Sequence, residues 1–158
     1  MAARYAILFG EYELTIDDKN RMLVPAEIRK ALIPERDGEA FFLVTGVNRI
    51  LWLYPEKYYE ELVAQYPIDI LPGLEGLEFD QSHFAMANRL EWDKQGRVLI
   101  PDKTLRRIGL NREVTLIGVR DHLELWDREA WNVHREGLLN RQAEVALKAR
   151  QARLQPRG

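Results

Sequence analysis

One twelve-residue block occurs twice in this chain, and that recurrence limits the fold more than any other feature. Leu14 to Pro25 (LTIDDKNRMLVP) aligns without gaps to Leu90 to Pro101 (LEWDKQGRVLIP). Leu, Asp, Arg, Leu and Pro coincide, and three further positions pair apolar with apolar. The similarity continues downstream in the same order. Gly46-Val47 matches Gly118-Val119, and Leu51 to Tyr54 (LWLY) matches Leu123 to Trp126 (LELW). The later matches sit at a shorter offset, which assigns a few extra residues to the first copy, in a turn at Pro34 to Gly38. Two blocks recurring in register indicate a duplicated supersecondary unit rather than coincidence among common residues.

Each copy reads as strand, tight turn, short strand, helix and a strand pair. Tyr12 to Ile16 and Ala87 to Trp92 alternate apolar and polar residues as strands do. Asp17, Asp18 and Asn20 in one copy, and Asp93 and Gly96 in the other, are turn formers. Met22-Leu23-Val24 and Val98-Leu99-Ile100 are continuous apolar runs of a length suited to buried strands. Pro25 and Pro101 suit the first position of a helix, where a missing N–H costs nothing, and predict helices Pro25–Leu32 and Pro101–Ile108. Strand pairs follow at Ala40–Thr45 with Ile50–Tyr54, and at Glu113–Gly118 with Leu123–Trp126. Helices are expected at Glu56–Gln65, at Phe79–Ala87, at Arg128–Gly137 behind an Asp127 N-cap, and at Leu138–Leu154. The apolar stripe of the last one is weak and calls for a neighbouring subunit to order it. The chain divides accordingly into a first repeat at 9–66, a connector with a short helix at 67–86, a second repeat at 87–137 and a basic helical tail at 138–158.

A chain of 158 residues with 46% hydrophobic and 30% charged residues is expected to fold as one ordinary domain, or as two very small ones sharing a core. No apolar stretch approaches the roughly 20 residues that span a bilayer, and no signal peptide or anchor is expected. Cysteine is absent, which excludes disulfides and thiolate metal sites and fits a cytoplasmic address. The net charge of −2 argues mildly against a nucleic-acid binder, which usually displays surplus Lys and Arg, but its signs are segregated. Arg141, Lys148, Arg150, Arg153 and Arg157 crowd the end of the chain, whereas Glu56, Glu60, Glu61, Asp69, Glu75, Glu78 and Asp80 concentrate in the middle.

Enzyme chemistry finds little support. Asp80, Ser82 and His83 lie too close in sequence for a triad, and no G-x-S-x-G elbow is present. His83, His122 and His134 lack metal-ligand spacing, and there is neither a P-loop nor a dinucleotide fingerprint. No catalytic residue, metal site, cofactor or small-molecule substrate is therefore expected. Tyr54, Tyr58, Tyr59, Trp126 and Trp131 read as core or interface residues, and Glu56, Glu60 and Glu61 as a solvated helix face. Exposed aromatics such as Trp52 and Trp131 point to a homo-oligomer larger than a dimer.

Phe9-Gly10, the Asp17-x-Lys19-x-Arg21-x-x-x-Pro25 segment and the Asp93-x-x-Gly96-Arg97-Val98-Leu99-Ile100-Pro101 segment together resemble the MraZ family of bacterial DNA-binding regulators. Leu116-Ile117-Gly118, Leu123-Glu124-Leu125-Trp126 and Trp131 are similar to that family's second half. The resemblance spans roughly Phe9 to Gly137. It implies an α+β, mainly β fold: tandem AbrB-like swapped-hairpin modules forming a small double-ψ-like β-barrel with peripheral helices. It also implies a ring-like homo-oligomer on repeated promoter boxes, nucleoid-associated in the cytoplasm, upstream of its own cluster of division and cell-wall genes. Two departures stand out: Asn20 occupies the place of the usual Gly in the first loop, and the N-terminus starts earlier than is common. Asn tolerates the left-handed conformation, so the first loop is expected to survive.

The residues themselves argue for double-stranded DNA as partner. Asp17 and Asp93 can accept backbone N–H bonds two residues on, fixing the turn, with Asn20 and Gly96 supplying its left-handed position. Arg21 and Arg97 then project from stiff hairpins, where a guanidinium can bond phosphate or the O6/N7 edge of guanine. Lys19 and Lys94 add phosphate attraction, and Arg29, Lys30, Arg106 and Arg107 extend the basic surface. The competing function is an AbrB-like oligomeric module of the antitoxin type that binds protein partners, with DNA binding weak or lost.

Overall fold

A computed structural model describes residues 4–67, 69–71 and 73–155. Its organising feature is exchange between the two repeats. The first repeat supplies β1 (Glu11–Thr15), β2 (Arg21–Leu23), β3 (Ala40–Thr45) and β4 (Leu51–Pro55). The second supplies the equivalents β5 (Asn88–Glu91), β6 (Arg97–Leu99), β7 (Glu113–Gly118) and β8 (Leu123–Asp127). Six of them form one antiparallel sheet in the order β1-β7-β8-β4-β3-β5, and β2 pairs with β6 in a separate ribbon. That order is a palindrome: each repeat lends its first strand to the outer edge of the other repeat's strand pair. The fold is α+β with swapped hairpins. The strands do not close into a barrel, because β1 and β5 end the sheet.

Alternation explains the burial. In β4, Leu51 and Leu53 point into the core with Leu123 and Leu125 of β8 beside them, all at most 1% exposed. Ile16, Met22, Val24, Phe41, Val98, Ile100 and Leu116 join the same cluster, so both repeats share a single core. Each such leucine contributes about 1.5–3 kcal/mol by leaving water. Neither repeat keeps that core without the other.

Short helices cover the sheet: α1 (Ala26–Ala31), α2 (Pro34–Asp37), α3 (Glu56–Ala64), α4 (Leu74–Ala85) and α5 (Asp102–Ile108). The extra residues of the first copy form α2, a helical turn rather than a loose one. Buried Asp37 holds it, accepting the Ile33 N–H at 2.9 Å and pairing with Arg36. The helix before the second repeat begins at Leu74, earlier than Phe79, because Gly76 is tolerated among the good formers Glu75, Leu77 and Glu78. A compact unit ends at Asp127, and a second begins at Arg128. The second unit consists of α6 (Arg128–Asn140) and α7 (Gln142–Leu154), which part at Arg141 rather than after Gly137. Among the described residues no helix is long and apolar enough to cross a membrane.

The sequence expectation for Trp52 is corrected by its neighbours. Its indole stacks on the His122 imidazole, with centroids 3.9 Å apart, instead of standing exposed. His122 is itself buried, and its ring reaches two carboxylates: Nδ1 lies 2.7 Å from Asp121 and Nε2 lies 2.8 Å from Glu124. Tyr58 donates its hydroxyl to Asp121 at 2.6 Å, tying α3 to the β7–β8 turn. Burial disfavours a charged imidazole, but hydrogen bonds to Glu124 and Asp121 outweigh it and raise the His122 pKa above 6.5. A raised folded-state pKa stabilises the fold below pH 6.5 and withdraws that stability as pH climbs through the raised value. Melting temperature is therefore expected to fall across that window, and His122→Gln to flatten the dependence. Parallel pH profiles for the two proteins would contradict this.

Candidate nucleic-acid interface

Both Asp-x-x-x-Arg segments fold into the same turn. Asn20 N–H donates to Asp17 C=O at 3.0 Å, and Gly96 N–H to Asp93 C=O at 2.9 Å. The Asp side chain then fixes the loop from within. Asp17 Oδ1 accepts the Lys19 N–H at 2.9 Å and the Arg21 N–H at 2.8 Å. Asp93 Oδ1 accepts the Gln95 and Arg97 N–H groups, both at 2.9 Å. The second oxygen takes the arginine: Arg21 Nε donates to Asp17 Oδ2 at 2.9 Å and Arg97 Nε to Asp93 Oδ2 at 3.0 Å. The amide N–H of Arg21, foremost, then its guanidinium and the Lys19 amide hold the Asp17 carboxyl below its ordinary 3.8; Arg97 and Gln95 do the same for Asp93.

The fourth turn position needs a left-handed backbone, which Asn20 (φ 62°) and Gly96 (φ 81°) both adopt. They are not interchangeable. A Cβ at Gly96 would lie 2.6 Å from the Arg29 guanidinium packed over it. The Asn20 side chain instead faces the second repeat, accepting from Arg112 Nη2 at 3.3 Å. Arg112 also donates to the Asp17 carbonyl, and Arg29 Nε to the Val24 carbonyl at 3.0 Å. These two cations buttress the loops, and the repeated motif contains neither. Arg112 lies far downstream in sequence, so nothing in the pattern marks it.

Between the turns, β2 and β6 pair in the register Arg21↔Leu99, Met22↔Val98, Leu23↔Arg97. Val24 N–H donates to Gly96 C=O and Ile100 N–H to Asn20 C=O, both at 2.8 Å, extending the ribbon symmetrically. Met22 and Val98 fill the inner face and are fully buried. The outer face carries Arg21, Leu23, Arg97 and Leu99, each arginine opposite the other repeat's leucine. Leu23 is 48% and Leu99 58% exposed, against the sequence expectation of wholly buried runs. The cause is strand alternation: only every second residue of a two-stranded ribbon can reach the core.

The Nη nitrogens of Arg21 and Arg97 make no hydrogen bond or ion pair among the described residues; only Nε is used. Lys19 and Lys94 are exposed on the turns but not equivalent, Lys94 standing one position earlier. Arg106 pairs with Asp102 on α5. Asp80, Ser82 and His83 lie on α4, where His83 Nε2 meets the Tyr59 hydroxyl at 2.9 Å and Ser82 bonds its own helix. Among the described residues no group of three or more His, Asp or Glu side chains could hold a metal.

Two intertwined copies of one strand–turn–strand–helix module, sharing a core and offering a cationic ribbon, define a duplicated swapped-hairpin protein. The family model described as "MraZ protein, putative antitoxin-like" matches residues 7–69 and 83–155, and the chain belongs to the MraZ family. It is 31% identical over 150 residues to a protein of Clostridium tetani named Transcriptional regulator MraZ, spanning 89% of this chain and 100% of that one. Proteins of the same name from Heliobacterium modesticaldum and Carboxydothermus hydrogenoformans are 32% and 34% identical, each over 90% of this chain and 96% of their own length.

The two members of each Asp–Arg pair should separate experimentally. Asp93→Ala removes the acceptor of three hydrogen bonds and is expected to lower the melting temperature clearly more than Arg97→Ala, which removes one exposed ion pair. Because the aspartate pKa values are depressed, this contribution is present above pH 3.8 and vanishes only as pH falls below it. Equal melting shifts for both variants at neutral pH would overturn the assignment.

Proposed function

We propose that this chain is a sequence-specific DNA-binding transcription regulator, and that the outer face of the β2–β6 ribbon meets the duplex. The observation that carries this is the pair of guanidinium groups, each aimed by an aspartate through Nε and each with its Nη edge uncommitted. A two-stranded ribbon fits a major groove, where such an edge can bond guanine or phosphate. Leu23 and Leu99 add apolar surface suited to thymine methyls, and Lys19 and Lys94 add attraction to the backbone. Asp17, Asp93, Asn20 and Gly96 shape the loops. The relatives' name, Transcriptional regulator MraZ, supports the same role.

One ribbon reaches few phosphates, so affinity comes from joining several. A ring-like homo-oligomer larger than a dimer, meeting evenly spaced promoter boxes, gains through effective concentration. The boxes lie upstream of the protein's own division and cell-wall gene cluster, and the protein works in the cytoplasm on the nucleoid. Residues 9–66 and 87–137 act as the two repeats, 67–86 as connector and 138–158 as a basic tail. No catalytic step, cofactor or small-molecule substrate belongs to this function.

A gel-shift titration of the intact oligomer at two salt concentrations tests it, using duplexes with one box or several. Several boxes in register should bind much more tightly than one. Arg97→Ala should weaken binding with folding intact, and the slope of log K against log salt should become shallower by about 1 for each phosphate left without its cation. An oligomer indifferent to such duplexes even in dilute buffer would overturn the proposal in favour of the antitoxin-type module that binds protein partners.

A further inference from the structure

The α3–α4 region leaves a groove that the fold does not fill. Its cavity measures about 410 Å³ and is lined chiefly by Tyr54, Tyr59, Leu62, Val63, Phe79 and Phe84. The chain leading into α4 is apolar as well, with Ile70 95%, Leu71 85% and Leu74 70% exposed. Scattered exposed leucines are ordinary, but an open cavity lined by aromatic and aliphatic side chains marks a contact surface. Its charge has one sign. Between Tyr66 and Met86 the chain carries Asp69, Glu75, Glu78 and Asp80 and no lysine or arginine, and Asp69 and Asp80 line the groove itself.

Helix α7 has the opposite character. None of its residues is buried, and Leu147 and Leu154 stand 58% and 75% exposed. Ala143, Leu147, Arg150 and Leu154 fall on one face by helical spacing, an apolar stripe with a guanidinium in its middle. Lys148 is engaged by Glu144, whereas Arg150 and Arg153 form no ion pair among the described residues. A thirteen-residue helix is marginal in water without packing along one face.

We infer that the α3–α4 groove of one copy receives α7 of a second copy, Leu147 and Leu154 entering the apolar cavity and Arg150 meeting Asp69 and Asp80. This rests on the self-association proposed above and specifies its interface. Groove and helix are different surfaces, so the interface is heterologous: each copy offers one of each, and repetition builds a ring or an open chain. A helix seated in an apolar groove with matched charges is a recurrent recognition mode. The chain supplies both halves itself, and that singles out a second copy over a foreign partner.

The absence of native cysteine allows a clean test. Full-length Phe79→Cys and Leu147→Cys chains carrying different tags are co-expressed and treated with a short bismaleimide. A product bearing both tags is expected, and neither variant alone should give it. In parallel, Arg150→Glu with Arg153→Glu should weaken self-association at least about tenfold by light scattering, and Asp69→Lys with Asp80→Lys on the same chain should restore it. Cross-linking confined to one chain in the Phe79→Cys/Leu147→Cys double variant would overturn the inference, the groove then belonging to the chain's own α7. A wild-type-sized oligomer with no cross-link and no response to charge reversal would also overturn it while leaving self-association standing. A monomeric wild type would remove both.

Discussion

Everything in the first unit depends on the strands that pair across repeats, which join the β3–β4 and β7–β8 hairpins of the two copies into one sheet. Val24 bonds Gly96 and Ile100 bonds Asn20, so the turn of each repeat is completed by the end of the other repeat's short strand. The same exchange places β1 on β7 and β5 on β3. Core and ribbon are therefore one construction. Met22 and Val98 bury the inner face of the ribbon in the shared core, and that burial orients Arg21 and Arg97 outward. The position of the arginines is a packing consequence.

Much of this could be read from residues because it is local. The Asp side chain, the left-handed fourth position and the arginine lie within five consecutive residues, and their hydrogen bonds close within that span. Glu113–Gly118 and Ala40–Thr45 were likewise legible as strands from β-branched and apolar residues. Local patterning does not say which strand lies beside which. The palindromic sheet and its open edges follow from long-range pairing. Arg112 was invisible for the same reason, and Arg29, expected to extend the basic surface, instead supports a loop of the other repeat by packing over Gly96.

The histidine illustrates a different gap. His122 sits in the link between β7 and β8, and its sequence spacing speaks only against a metal site. Its neighbours in the fold are Trp52, brought alongside by β4–β8 pairing, and Asp121 and Glu124, brought to both ring nitrogens by the strand itself. A group can be buried and still favour its charged form when hydrogen-bonded carboxylates outweigh desolvation. Segregated charge was visible along the chain, with acids in the middle and bases at the end. Recognising the acidic stretch as the rim of an apolar groove required the packing of α3 and α4.

Interleaving also constrains how the chain is made. Glu11 pairs with Ile117 and Ala40 with Glu91. A nascent polypeptide emerging from the ribosome through Tyr66 has β3 and β4 to join, but β1 and β2 lack the strands they pair with, β7 and β6. The first half must wait, partly open, until translation delivers the second.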